Sequence, residues 1–245
     1  MITSKQNATI KLVRALQDKK NRDKENLFVV ESVKLVLDAL CLSLPIIKIL
    51  GTEKGLNALG KDLPCIEEVS EEVFRSISSH VSPQGVLAII KKPTSVVQKV
   101  KGNCLLLDGV SDPANVGAII RTAAASGYDT VCMTDECADP FSPKSVQSAM
   151  GGIFRVKTVR ASAEQLLNII DAPIVVADMA GESVFKKKIK GDVCLVIGNE
   201  GKGVSDLIRG RAQYLVSIPM LNQVESLNAG VSAGILMYNL KNIEE

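Results

Sequence analysis

The sequence predicts an α/β protein of two units, each a sheet covered by helices. Three observations predict this. Short apolar runs such as LFVVE, PIIKILG, CLLLD and VCLVIG alternate with stretches of helical hydrophobic spacing, the pattern of strands and helices packed in layers. The segment KKPTSVVQKVKGN at 91–103 is polar, contains a proline and breaks the alternation. After it the alternation restarts with a longer series of strands. The expected organisation is a small N-terminal α/β domain at 1–98 and a mainly parallel α/β domain at 99–245.

The elements follow in order. Residues 5–20 place Ile10, Leu12, Val13 and Leu16 on one helical face. LFVVE reads as a strand, SVKLVLDALCL as an amphipathic helix and PIIKILG as a second strand. The segment after Glu53 reads as helix, PCIEEV as a short strand and SEEVFRSIS as a helix with Ser70 at its N-cap. GVLAIIKK closes the first unit as a strand. In the second unit, NCLLLDG is a buried strand. PANVGAIIRTAAASG is a helix with Pro113 in its first turn and Gly127 at its end, the expected start and stop residues. DTVCMTD, FRVKTVRA, PIVVADM, DVCLVIG and YLVSIP are strands. Between them lie helices in SPKSVQSAMGG, SAEQLLNII and SDLIRGR. SLNAGVSAGILMYNL is a closing helix that begins at Ser226 or a neighbour.

Composition excludes several functional classes. The 245 residues are 46% hydrophobic and 23% charged, enough to bury a core. No apolar run approaches the roughly 20 residues needed to span a bilayer, and the N-terminus lacks a signal-peptide core. No membrane partner is expected. His80 is the single histidine, so multi-histidine metal centres cannot form and no metal site is expected. A Ser-His-Asp site would need His80, which lies in the turn-like SISSHVSPQG. The six cysteines form no C-x-x-C pair. They read as buried free thiols of a cytoplasmic protein.

Net charge is only +2, from 29 basic and 27 acidic residues, but its distribution is uneven. Residues 1–24 hold Lys5, Lys11, Arg14, Lys19, Lys20, Arg22 and Lys24 against Asp18 and Asp23. Residues 101–245 hold 14 basic and 16 acidic residues. The basic end is a candidate phosphate-contacting surface; a solvated helix face is the plainer alternative.

Three loops follow strands in the second unit, where open α/β sheets bind ligands. In DGVSDPANVGAIIRTAAASG, Asn115 opens a helix that carries Arg121, and a guanidinium beside a helix N-terminus can grip a phosphate. A packing glycine and a surface salt bridge explain that spacing equally well. In VIGNEGKGVS the glycines are spaced G-x-x-G-x-G. This is neither a P-loop nor a dinucleotide fingerprint. Glu200 within it suits a hydroxyl, a base edge or a cation better than a pyrophosphate. In IPMLNQVESLNAG, Ser226 and Asn228 suit hydrogen bonding or helix capping.

Taken in order, NVGAIIRT (Asn115–Thr122), IGNEGKG (Ile197–Gly203) and IPMLNQVESLN (Ile218–Asn228) resemble the three motifs of the SpoU/TrmH family of RNA ribose 2′-O-methyltransferases. The resemblance spans about 104–240. The first hundred residues are similar to the substrate-binding domain often fused ahead of it, a fold like a ribosomal protein's, through Phe28–Glu31 and Pro83–Val86. The resemblance implies a deep trefoil knot in the C-terminal domain, S-adenosyl-L-methionine as methyl donor and a homodimer formed through that domain. It places the donor against Gly198, Ile218 and Leu227, with Asn199, Gly201 and Met220 beside them. It gives Arg121 the central catalytic part, surrounded by Asn115, Glu200, Ser226 and Asn228.

A guanidinium pKa lies above about 12, so Arg121 is expected to hold a phosphate and stabilise a developing alkoxide. The proton then leaves through the phosphate, Glu200 or water. The N-terminal extension favours structured 23S-type ribosomal RNA, gripped by the basic end and by Lys144. A transfer-RNA enzyme and an inactive RNA-binding member of the fold are the alternatives. An NAD-type oxidoreductase is opposed by the absent G-x-G-x-x-G. Two departures bear on substrate identity. Where the family has K-x-x-R-x-S-x-G, Lys144 is followed by Gln147, Ala149 and Gly151. Where it has Glu-Gly near the N-terminus, this chain has Glu31-Ser32.

Overall fold

The computed structural model describes residues 1–60, 63, 65–93, 99–222 and 224–241. By contacts the chain divides into two compact units, 1–94 with 141–147 and 95–140 with 148–245. Of the linker expected at 91–103, residues 94–98 lie outside the described residues, and so does the expected boundary after residue 98.

The first unit opens with α1 (Ala8–Ala15) and α2 (Lys19–Glu25), where the sequence predicts one helix over 5–20. The difference has a local cause. Asp18 accepts a hydrogen bond from the Lys20 N–H at 2.8 Å, which caps a new helix there. The unit continues with β1 (Leu27–Glu31), α3 (Val33–Cys41), β2 (Ile46–Gly51), α4 (Glu53–Leu59), β3 (Ile66–Glu68), α5 (Glu71–Arg75) and β4 (Val86–Lys91). The sheet order is β1-β4-β2-β3, antiparallel except for the β2–β3 pair. Ile10 and Val13 of α1, with Leu16 at its C-cap, join Phe74, Leu87 and Ile89 in one core, as their helical spacing predicts. Ser70 caps α5 by accepting from the Val73 N–H.

The second unit contains β5 (Cys104–Asp108), α6 (Pro113–Ser126), β6 (Thr130–Met133), β7 (Lys157–Arg160), α8 (Ala163–Ile169), β8 (Ile174–Ser183), β9 (Cys194–Gly198), α9 (Asp206–Arg209), β10 (Tyr214–Ser217) and α10 (Ala229–Lys241). Helix α7 (Pro143–Ala149) begins among the residues grouped with the first unit and ends in the second. The six strands are all parallel, in the order β10-β8-β9-β5-β6-β7. Strands β5, β6 and β7 run outward on one side, while β9, β8 and β10 lie on the other. The order therefore reverses between β5 and β9, the kind of place where parallel sheets open a ligand crevice. Strand β5 is buried along its whole length, which accounts for its unbroken apolar run. Helix α6 ends on Gly127 at φ 72°, a left-handed position that glycine adopts without strain.

Cys104, Cys132, Cys137 and Cys194 are buried free thiols as expected, but Cys41 and Cys65 are exposed. Cys41 is the last residue of α3 and Cys65 directly precedes β3, so both lie at element ends. Among the described residues no helix is long and apolar enough to cross a membrane, and no three His, Cys, Asp or Glu residues are grouped to hold a metal ion.

Candidate active site

At the reversal point, three loops meet through one buried asparagine. Asn115 lies in the first turn of α6 and is 8% exposed. Its amide nitrogen donates to Glu200 Oε1 at 2.8 Å, and its oxygen accepts from the Asn228 amide at 2.8 Å. Glu200 belongs to the loop after β9, and Asn228 to the loop after β10. Asn228 also accepts from the Gly230 N–H at 2.9 Å, so it caps α10. The helix thus begins after Asn228. Ser226 stays in the loop and makes no cap. One end of the Asn228 side chain caps the helix and the other meets Asn115.

The loop after β9 is tightly built. Asn199 and Gly203 exchange backbone hydrogen bonds at 3.0 and 2.9 Å. The Asn199 side chain accepts from the Gly201 and Lys202 N–H groups and donates to the Gly109 carbonyl at 2.7 Å. A Cβ on Gly198 would lie 2.4 Å from the Gly203 carbonyl carbon and 2.5 Å from the Val204 nitrogen. Glycine is therefore required there by the loop's own return path. Asp108, at the end of β5, accepts from the Ser205 N–H at 2.7 Å and joins the two loops again.

Glu200 is exposed but engaged at both oxygens, with Ser111 donating to Oε2 from its N–H and its hydroxyl at 3.4 and 3.3 Å. Burial pushes its pKa up. Hydrogen bonds from Asn115 and from the backbone amides of Glu200, Ser111 and Asp112 outweigh that and hold it below the usual carboxylate range. Glu200 is accordingly ionised at neutral pH and is a weak base.

Arg121 is exposed and forms no hydrogen bond or ion pair with any described residue. The alternative of a surface salt bridge is not realised. A Cβ on Gly152 would come 2.8 Å from the Arg121 Cα, so the 3-10 turn Gly152–Phe154 packs tightly beneath this part of α6.

A cavity opens beside the loop after β10. Ile218, Met220, Ser226 and Leu227 line it with Leu236 of α10 and with Ala177, Asp178, Met179 and Glu225. Four of the residues expected at the site therefore meet in one cavity. Gly198, Asn199 and Gly201 do not line it; they belong to the turn that carries Glu200. Sequence reasoning missed Asp178 and Met179. Their signal was an acidic residue directly after the apolar run PIVVA, in the middle of β8, which runs on to Ser183. Asp178 is held by Arg209 at 3.0 Å and by the Ala180 N–H at 2.8 Å.

The basic N-terminal residues divide. Lys11 and Lys20 are exposed, with no side-chain partner among the described residues. Lys5 pairs with Glu72, Lys19 with Asp23, and Arg14 donates to Ser76. Arg22 corrects the expectation of a phosphate contact. It is 3% exposed and donates to the Leu16 and Gln17 carbonyls at 2.8 Å, satisfying chain ends left over by α1. Lys144 is exposed on α7. His80 lies in a loop organised by the buried carboxylate of Glu31, which accepts from Ser78 and Ser79.

The chain matches the SpoU rRNA Methylase family over residues 102–238 and an MRM3-like substrate binding domain over 7–88. It is 31% identical, over 98% of both chains, to the 23S rRNA (guanosine(2553)-2′-O)-methyltransferase RlmP of Bacillus subtilis. Among solved structures it is similar to an rRNA methyltransferase from Sinorhizobium meliloti, with a TM-score of 0.87, 30% identity and coverage of 97% of this chain and 95% of that one. A structure of rRNA methyltransferase from the same organism with AdoMet bound has a TM-score of 0.86 and 31% identity, over 97% of this chain and 95% of that one.

Proposed function

The chain belongs to the SpoU rRNA methylase family, and we propose that it transfers a methyl group from S-adenosyl-L-methionine to a ribose 2′-OH of 23S-type ribosomal RNA. The observation that carries this reading is the Asn228–Asn115–Glu200 chain of hydrogen bonds, which gathers all three motif loops at the start of α6, the helix that carries Arg121.

The cavity fits the donor chemically. Ile218, Met220, Leu227 and Leu236 offer apolar walls to a neutral adenosine, while Asp178 and Glu225 supply carboxylates that suit a sulfonium and would repel a pyrophosphate. When bound, the donor supplies an electrophilic methyl carbon. The chain's own residues hold and orient the acceptor. Arg121 grips the phosphate beside the target ribose and stabilises charge developing on the 2′ oxygen. Glu200, with both oxygens occupied, fixes the Asn115 amide. The proton of the 2′-OH leaves through the phosphate, Glu200 or water as Arg121 stabilises the alkoxide; the lowered pKa of Glu200 keeps it ionised and able to accept, though only as a weak base.

Residues 1–98 serve as the RNA-binding part, through Lys5, Lys11, Arg14, Lys19 and Lys20, and 99–245 as the catalytic part, which adds Lys144 as a further RNA contact. We assign the family's deep trefoil knot to the second part. The return of α10 onto α6 and the reach of Asn228 to Asn115 support it. A homodimer through this part is supported by exposed Val231 and Tyr238 on α10. The free thiols suit a cytoplasmic protein.

The test is methyl transfer to ribosomal RNA by the purified chain and its Arg121→Ala variant. The expected result is transfer by the former and a loss of about 100-fold or more in the latter, the scale of removing one preorganised charge-stabilising donor. Full activity in folded Arg121→Ala overturns the assigned role.

A further inference from the structure

One basic segment of the second unit has no part in the site described above. Residues 184–190 read VFKKKIK, with four lysines and no acid. The turn follows β8, whose last residue, Ser183, lies opposite Ser217 of β10. The Val184 N–H donates to the Ser217 carbonyl at 2.9 Å, and the Lys186 and Lys187 N–H groups both donate to the Ser183 carbonyl at 3.0 Å. Val184 is 1% exposed and Ile189 is 7% exposed. These two anchors fix which way the remaining side chains face. Lys187 is used internally, paired with Glu182 at 2.7 Å and lying over the Tyr214 ring. Lys186, Lys188 and Lys190 are exposed, with no hydrogen bond or ion pair to a described residue. Phe185 stands among them, 61% exposed. An aromatic ring held in water between uncovered cations is the arrangement that stacks a base and contacts phosphates.

The position of the turn matters as much as its charge. Ser217, which receives its first hydrogen bond, lines the donor cavity, and so does the next residue, Ile218. We propose that the 184–190 turn is a second RNA contact, in which Phe185 stacks on an unpaired base and Lys186, Lys188 and Lys190 hold the phosphates of the strand entering the site. The proposal rests on the reading of the chain as an RNA methyltransferase. A second copy of the chain is the less suitable occupant, because a contact centred on this turn would set its lysines against their own counterparts, with no acid in the turn to offset them.

The experiment measures binding of the full-length protein to unmodified 23S ribosomal RNA transcribed in vitro, across a series of salt concentrations. Calorimetry with S-adenosyl-L-methionine and sedimentation are run alongside. For the triple variant K186A/K188A/K190A, the slope of log affinity against log salt should shrink by about 2, at about 0.7 per single-strand phosphate contact. Phe185→Ala should weaken binding about tenfold with the slope unchanged, and K186R/K188R/K190R should restore the slope. Donor affinity and oligomeric state should not change. An unaltered slope in the alanine triple variant overturns the proposal. So does a shift of that variant to monomer with RNA binding by the monomer intact, since the turn is then a contact between copies. Binding is read without methyl transfer. Failure of the activity itself, with RNA binding and its slope change intact, would count against the proposed function and not against the turn.

Discussion

Replacing Asn115 with alanine cuts the bridge among the three loops. The substitution removes the 2.8 Å bond to the Glu200 carboxylate and the 2.8 Å bond from Asn228. A hydrogen bond to a charged group contributes about 1.5–3 kcal/mol and a neutral one about 0.5–1.5 kcal/mol. Glu200 and Asn228 are both exposed, so water can replace much of what each loses and solvent screens the charge. The working figure is therefore near the lower end, about 2 kcal/mol. Urea unfolding of the second unit, followed by a probe placed in it, should show this loss. A double-mutant cycle with Glu200→Ala isolates the direct contact, because residues in one hydrogen-bond network do not add. The coupling should be about 1 kcal/mol or more. Donor affinity should fall modestly and methyl transfer should fall much further, since Asn228 and Glu200 then lose their common support. Additivity within about 0.3 kcal/mol, with methyl transfer intact, would refute the bridging role.

Three further outcomes are expected. Gly198→Ala forces a methyl against the backbone of Gly203 and Val204 at 2.4–2.5 Å; the loop must move at a cost of about 1–3 kcal/mol, and calorimetry should show weakened donor binding, whereas unchanged affinity and unfolding midpoint contradict the packing argument. Ser32→Gly should stabilise the first unit by about 1 kcal/mol in urea unfolding. Ser32 sits at φ 149° and ψ 155°, a region nearly reserved for glycine that costs other residues about 1–3 kcal/mol; losing its cap on Leu35 costs only a few tenths, and a destabilised variant would count against the strain. At Asp23, burial raises the pKa but hydrogen bonds and charge from Lys19 and Lys92 outweigh it, lowering the pKa from 3.8 to about 2. Its contribution to stability is thus fully present above pH 3.8 and lost as pH falls toward 2. Asp23→Asn should flatten the stability curve in that window, and an unchanged acid limb speaks against the pairing.

What the sequence made legible follows from what is local. Apolar runs located β5 and β9 because strands buried on both faces need no polar alternation. Pro113 and Gly127 bounded α6 because each suits one helix end alone. The three motif loops were legible through their family resemblance, and they converge on Asn115. What stayed hidden depends on the partners that folding supplies. Arg22 counts as a surface cation in any linear reading, and only the carbonyls at the end of α1 take it inside. Asp178 looks like the end of an ordinary strand until β10 and α10 close the cavity around it. The break at residues 16–18 was masked by a helical face that runs across it. Ser32 reads only as a departure from the family's Glu-Gly at the head of a helix, and its strained φ is a property of the folded backbone alone.

The central claim is tested most directly by mapping ribose methylation. Unmodified 23S ribosomal RNA is incubated with the purified protein and S-adenosyl-L-methionine, and its nucleotides are surveyed for 2′-O-methyl groups. The account predicts a new 2′-O-methyl at one nucleotide, absent when Arg121 is replaced by alanine. A methyl placed on a base, or no transfer by folded protein that binds both donor and RNA, would contradict it.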